Sequence, residues 1–223
     1  MVQLHAAAAG LTLTRSTADV DIVLHIETGA TTTYKMVQAL RELGYEIEHS
    51  LNGDAVAHRF LRGEQQIDVM IADHPAPSIV TKIAGRLPFK IPGGTQALKR
   101  TVNVTIETDT GEATRLSLPN LQGALVLKGA AYLEDSRDRS RHLEDAAMLC
   151  ACIPDPYAIV AELGGSDLKR LNALFEALKE PSHQAWLSLD DEHRQPAHDA
   201  LRILATSAQV SGLPPIRRLG SRR

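Results

Sequence analysis

The stretch RSTADVDIVLHI, residues 15–26, sets two aspartates one residue apart at the head of an apolar run. Val20, Ile22, Val23 and Leu24 favour extended chain, so the run predicts a strand over 19–26. Side chains alternate between the two faces of a strand, which makes Asp19 and Asp21 point the same way. Two carboxylates stacked in this manner repel each other unless a cation sits between them. Oxygen-only ligation of that kind suits Mg²⁺ (or Mn²⁺), which keeps part of its water shell and accepts substrate phosphates.

Working outward, VQLHAAAA at 2–9 favours helix and is ended by Gly10. Downstream, Thr31 to Thr33 can cap a helix carrying Tyr34, Val37, Leu40 and Leu43 at helical spacing, closed by Gly44. YEIEHS and AVAHRFLRG then flank LNGD, a hairpin signal because Asn-Gly tolerates the positive φ of a tight turn. The sequence GEQ turns the chain again into QIDVMIA, a strand that holds a third aspartate, Asp68. Strand, helix and three-strand meander define an α+β core with a mixed β-sheet. A carboxylate on a neighbouring strand, as Asp68 could be, completes a two-metal clamp of the phosphoryl-transfer type. In such a clamp one ion activates an attacking hydroxyl and the other neutralises a triphosphate leaving group.

Residues 73–100 read as loop-rich, with Pro75, Pro77, Pro88, Pro92 and GGT at 93–95. TVNVTIET and ATRLSL form a further hairpin around DTGE. Pro119 suits a first helical position, and helical patterns follow over roughly 119–134, 138–152, 156–163, 166–179, 182–188 and 194–210. The expected organisation is a mixed-sheet lobe over 1–118, a helical lobe over 119–212 and a flexible basic tail over 213–223, with a cleft between the lobes.

A hydrophobic content of 43% with 23% charged residues places the 223-residue chain among globular proteins rather than disordered ones. Aromatics make up 4%, so the core must be built from Leu, Val, Ile and Ala. Cys150 and Cys152, the two cysteines, are one residue apart and read as reduced thiols of a cytoplasmic protein. No apolar run approaches about 18 residues, and MVQLHAAAAG lacks the basic start of a signal peptide, so no membrane is expected. A formal net charge of -3 does not advertise nucleic-acid binding, which would need local basic patches. The nine histidines show no zinc spacing. There is no G-x-S-x-G, P-loop or dinucleotide fingerprint, and Ser16 has no partnered base nearby in sequence.

Beyond the acids, Lys128 interrupts the apolar run GALVLKGAAYL, where a lysine either snorkels outward or points into a cleft at an anion. Arg141 and Asp145 stand four apart on a helix and can form a surface ion pair, or serve a site. Arg137 and Arg141 also suit phosphate. KIPGGTQALKRT supplies Lys90, Lys99 and Arg100 around Gly93-Gly94, either as an ordinary turn or as a phosphate contact. Lys82, Arg86, Arg217, Arg218, Arg222 and Arg223 could meet an RNA backbone or simply be solvated.

RSTADVDIV, IDVMIAD and LQGALVLKGAAYLEDSRDRSRHLEDAAML (121–149) together resemble the AbiEii/AbiGii nucleotidyltransferase toxin family, a branch of the polymerase-beta-like nucleotidyltransferase superfamily. The resemblance covers roughly residues 1–150. Members carry an R-x-T-x-D-x-D segment, here Arg15, Thr17, Asp19 and Asp21, and later a helical lysine and an aspartate, matched by Lys128 and Asp145. The resemblance implies a nucleotidyltransferase-like lobe and metal-dependent transfer of a nucleotide from an NTP. In the similar MenT-type toxins the acceptor is the 3′ end of tRNA. It implies Asp19, Asp21 and Asp68 as metal-binding and catalytic, and Lys128 on phosphate with Asp145 in support. Arg15, Ser16 and Thr17 fall at the nucleotide phosphates, and a cognate antitoxin is the implied protein partner.

The chain departs from the superfamily at one place. Members set a Gly-Ser or Gly-Gly turn upstream of the acid pair, at the start of a helix that receives the triphosphate. Here VQLHAAAAG follows Met1 directly with no such pair before it, and MVQLHA matches the piece that would follow the turn. Either the true start lies further upstream, or the chain lacks this phosphate cradle; in the second case either Ser16 and Thr17 substitute in part or activity is weak or lost. Two alternatives stay open: a catalytically silent nucleotide- or protein-binding module, and a small-molecule nucleotidyltransferase of the antibiotic-modifying kind.

Overall fold

The computed structural model describes residues 1–12, 19–29, 31–49, 56–107 and 110–210, with side chains to residue 206. Arg15, Ser16 and Thr17, the LNGD turn and the basic tail lie outside the described residues. The first half runs α1 (Val2–Ala8), β1 (Asp19–Leu24), α2 (Thr33–Glu42), β2 (Glu46–Ile47), β3 (Arg59–Arg62), β4 (Gln65–Ala72), β5 (Phe89–Ile91), α3 (Gly94–Leu98), β6 (Thr101–Glu107) and β7 (Ala113–Pro119). The second half is helical: α4 (Leu121–Glu134), α5 (Arg139–Ala151), α6 (Pro156–Val160), α7 (Asp167–Leu178), α8 (Gln184–Leu187) and α9 (Asp191–Val210). The molecule is of mixed α+β class.

Among the described residues the main sheet has the order β1-β4-β3-β2, with β5 beside the far end of β4. The β1–β4 pair is parallel, whereas β3 is antiparallel to both β4 and β2. A two-residue turn at Gly63-Glu64 joins β3 to β4, and Gly63 takes the positive φ of 58° that this turn requires. Alternation along the strands sends Ile22, Leu24, Phe60, Val69 and Ile71 to one face, where Val37 and Leu40 of α2 close over them. The opposite face carries Asp19, Asp21 and Asp68.

Helix α2 starts where the Thr32 hydroxyl accepts from the Lys35 amide at 3.2 Å, so Thr32 is the cap within the expected threonine run. It ends at Gly44, whose successor Tyr45 donates its amide back to the Leu40 carbonyl at 2.9 Å. Tyr34 and Leu43, expected on the apolar face, are 66% and 58% exposed. Thr33, Val37 and Leu40 carry the burial.

The segment expected to be loop-rich contains both β5 and α3. Asp73, just past β4, accepts from the Gly93 amide at 2.8 Å and the Thr95 amide at 3.0 Å, so its carboxylate caps α3. Burial alone would push the Asp73 carboxyl up. The hydrogen bonds from Thr95, Gly93 and His74 outweigh it and hold the group well below the usual carboxylate range. An Asp73→Ala variant is expected to lose about 1–2 kcal/mol of stability in urea unfolding at neutral pH. A depressed folded-state acid contributes stability above its unfolded pKa and loses it as pH falls. The gap between wild type and variant therefore narrows progressively below about pH 4.

In the helical half α4 is buried nearly all round, from Gln122 to Leu127 and again at Gly129 and Ala130. Asn120, not Pro119, begins it. The Asn120 side chain accepts from the Gly123 amide at 2.9 Å, and Pro119 is the last residue of β7. A Cβ at Gly129 would meet the Arg170 carbonyl oxygen at 2.8 Å, so glycine is what lets α7 lie directly on α4. Leu125, Leu149, Leu171, Leu174, Leu178, Leu201 and Leu204 form the helical core around Trp186. The Trp186 indole N–H donates to the Leu178 carbonyl at 2.8 Å.

Helix α1 joins this same core through Ala6, and His5 Nε2 lies 2.8 Å from the Pro119 carbonyl. Asp167 is fully buried and receives the Arg100 guanidinium at 3.2 and 2.7 Å, which ties the base of the β6–β7 hairpin to α7. Cys150 and Cys152 are unpaired and buried; burial pushes both thiols up, that of Cys152 to about 11. Among the described residues no helix is long and apolar enough to cross a membrane.

Candidate functional site

The parallel register of β1 and β4 sets Asp21 opposite Asp68 and Asp19 opposite Gln66. Register partners on neighbouring strands share a face, so the two acids of β1 and the acid of β4 stand together on the side turned from α2. The β3–β4 register sets Arg59 opposite Asp68. The guanidinium forks onto both carboxylate oxygens, Nε to Oδ1 and a terminal nitrogen to Oδ2, each at 3.1 Å. Gln66 Nε2 adds a donor to Oδ2 at 3.2 Å. Asp68 is 13% exposed, and these bonds account for both of its oxygens.

Asp21 is more open to solvent, yet surrounding protein still raises its carboxyl pKa, and the charge of Asp68 adds to the rise. Lys128, the Met1 ammonium and Arg141 oppose it. Lys128 and Arg141 belong to the helical half, on α4 and α5, so the acid face of the sheet and the helical half share one electrostatic field. Lys128 Nζ lies 2.6 Å from Asp145 Oδ2, with Asp145 buried and Lys128 largely so. His142, one turn before Asp145, is held below the usual imidazole range by burial and then by the charge of Lys128. Its Nε2 lies 3.5 Å from Asp135 Oδ2, too far for a good hydrogen bond.

Asp21 and Asp68 thus stand side by side, and Lys128 and Asp145 form a direct pair whose lysine acts on Asp21. Asp19 occupies the same face one step up β1. Among the described residues, no three His, Cys, Asp or Glu side chains close around a common point. Asp19 and Asp21 are nevertheless oxygen donors of the right chemistry for a hard divalent cation. The repulsion that Asp68 imposes on Asp21 is what such an ion would relieve.

Other basic candidates serve elsewhere. Arg100 is committed to Asp167. The amides of Gly93 and Thr95 are occupied by Asp73, so the glycine turn spends these two donors within the chain. Arg86 donates to the Glu48 carbonyl at 2.7 Å. Lys82, Lys90 and Lys99 are exposed. Arg139 donates to the Asp135 carbonyl at 3.2 Å, and Arg137 lies 3.8 Å from the Asp135 carboxylate.

Arg59 and Gln66 are the site residues that motif spacing does not reveal. Their signal is the tight turn: counting outward from Gly63-Glu64 pairs Arg62 with Gln65, Leu61 with Gln66, Phe60 with Ile67 and Arg59 with Asp68. No known protein family, no curated protein and no solved structure matches this chain.

Proposed function

We propose that this chain is a metal-dependent nucleotidyltransferase of the AbiEii type. It would act as the toxin of a toxin–antitoxin pair, transferring a nucleotide from an NTP to an RNA acceptor such as the 3′ end of tRNA. The observation that carries this reading is the parallel register seating Asp21 beside Asp68, on a sheet face within the field of Lys128.

On this reading Asp19 and Asp21 hold Mg²⁺ (or Mn²⁺). The bound ion supplies charge neutralisation at the triphosphate. Asp68 takes the proton of the acceptor hydroxyl on the lone pair that Oδ1 keeps beside its Arg59 bond, as the acceptor oxygen bonds to the α-phosphorus. The bond from that phosphorus to the bridging oxygen breaks, and pyrophosphate leaves. An ammonium group has three donors, so Lys128 can hold Asp145 and a phosphate oxygen together. Asp145 keeps Lys128 aimed, and Arg15, Ser16 and Thr17 are assigned to the phosphates by resemblance.

Incubation with labelled NTPs, Mg²⁺ and total tRNA tests the reading. Label on tRNA with the wild type, and none with an Asp21→Asn variant, is the expected result. No label on any RNA, with each NTP in turn, would overturn it. A second reading is favoured by the fork of Arg59 on Asp68, which engages the third acid within the chain. It is a nucleotidyltransferase-fold module that binds a nucleotide or protein without catalysis. NTP binding without transfer would select it.

A further inference from the structure

In a two-metal clamp each ion is held by carboxylates and balances one developing charge, at the attacking or the leaving oxygen. The acid on the neighbouring strand is what the second ion needs. Here that acid, Asp68, already carries a cation: the Arg59 fork reaches both of its oxygens at 3.1 Å. We infer that Arg59 stands in for the second metal ion, so that the chain binds one divalent cation, at Asp19 and Asp21, and supplies the other positive charge itself. This rests on the cation-binding part of the function proposed above.

Two features support the substitution. The first is geometry. A planar guanidinium matches a carboxylate with two parallel bonds, and this pairing is among the stronger charge-assisted contacts available to a side chain. The second is permanence. Arg59 is fixed opposite Asp68 by the β3–β4 ladder and its two-residue turn, and an arginine does not lose its charge in the working pH range. Gln66 adds a third donor, so a metal seeking Asp68 must displace a built arrangement.

Arg59 is therefore a positioning residue, and cation stoichiometry reads its role directly. The experiment is titration of the full chain with Mn²⁺, with free ion followed by electron paramagnetic resonance and fold checked by circular dichroism. Wild type is expected to bind one Mn²⁺ and Arg59→Gln two. Asp68→Asn, which removes the second ion's ligand, is expected to keep one. Arg59→Lys, whose ammonium covers a single oxygen, is expected to show a second ion weaker than in Arg59→Gln, and keeps the test open should the glutamine variant misfold. Two ions in the wild type, or one ion in a folded Arg59→Gln, would overturn the inference. One ion with no nucleotidyl transfer would sink the enzymatic reading and leave the inference standing. No ion in the wild type would end both the inference and the cation-binding reading beneath it.

Discussion

On the proposed function, Asp21→Asn is expected to lower nucleotidyl transfer by about a thousandfold, or about 4 kcal/mol of transition-state stabilisation, the several kcal/mol that a bound cation would supply. The fold should not suffer. Asp21 is an acid whose pKa is raised in the folded chain, first by burial and then by the charge of Asp68. A raised acid disfavours the folded state at pH values above its pKa, because the unfolded chain ionises it more easily. Asparagine removes that repulsion while keeping the shape. The melting temperature of the variant at neutral pH should thus equal or exceed that of the wild type, while activity collapses. Paired transfer assays and thermal melts check the claim. A fall in activity that tracks a fall in melting temperature would assign Asp21 to structure instead.

Asp167→Ala is the change expected to harm the fold most, by about 3–5 kcal/mol. Asp167 is fully buried and accepts both arms of Arg100 as well as the Gly164 amide at 3.2 Å. Removing it strands a largely buried guanidinium with no counter-charge. The pair itself is not expected to add much net stability, since desolvating two ions offsets most of their attraction. The double variant Arg100→Met with Asp167→Leu should accordingly recover most of the loss. Urea unfolding of the single and double variants separates the two effects. The loss should spare the cation stoichiometry of folded protein, because Arg100 and Asp167 make none of the contacts seen at Asp68 or Lys128.

The carboxylates and the helices were the legible part of this chain. Val20 to Leu24 and Ile67 to Ala72 have strand composition, and their alternation alone predicts acids on one face. The helical half was readable because apolar spacing extends over many residues there, although the start of α4 was misplaced at Pro119, where Asn120 is the cap. Two short elements of the first half were not. Strand β5 and helix α3 lie among Pro88, Pro92 and two glycines, and Asp73, which holds α3 in place, is twenty residues upstream of Gly93. Tyr34 and Leu43 fit a helical stripe by spacing, but the face that packs runs through Thr33, Val37 and Leu40. The Arg59–Asp68 fork required a register rather than a motif. The commitment of Arg100 to Asp167 spans 67 residues and follows from tertiary packing that no local pattern records.

The glycine at 129 has a bearing on its neighbour in the chain. With α7 resting directly on the backbone at this point, α4 can neither roll nor slide without driving a carbonyl into it. Lys128, the preceding residue, therefore rises from main chain packed directly against α7. A lysine immobilised by an anion forfeits about 2 kcal/mol of rotamer entropy. Here confinement of the helix and the contact with Asp145 have met much of that loss during folding. An incoming phosphate would find an ammonium already ordered, so more of the Coulomb attraction would be left to serve binding.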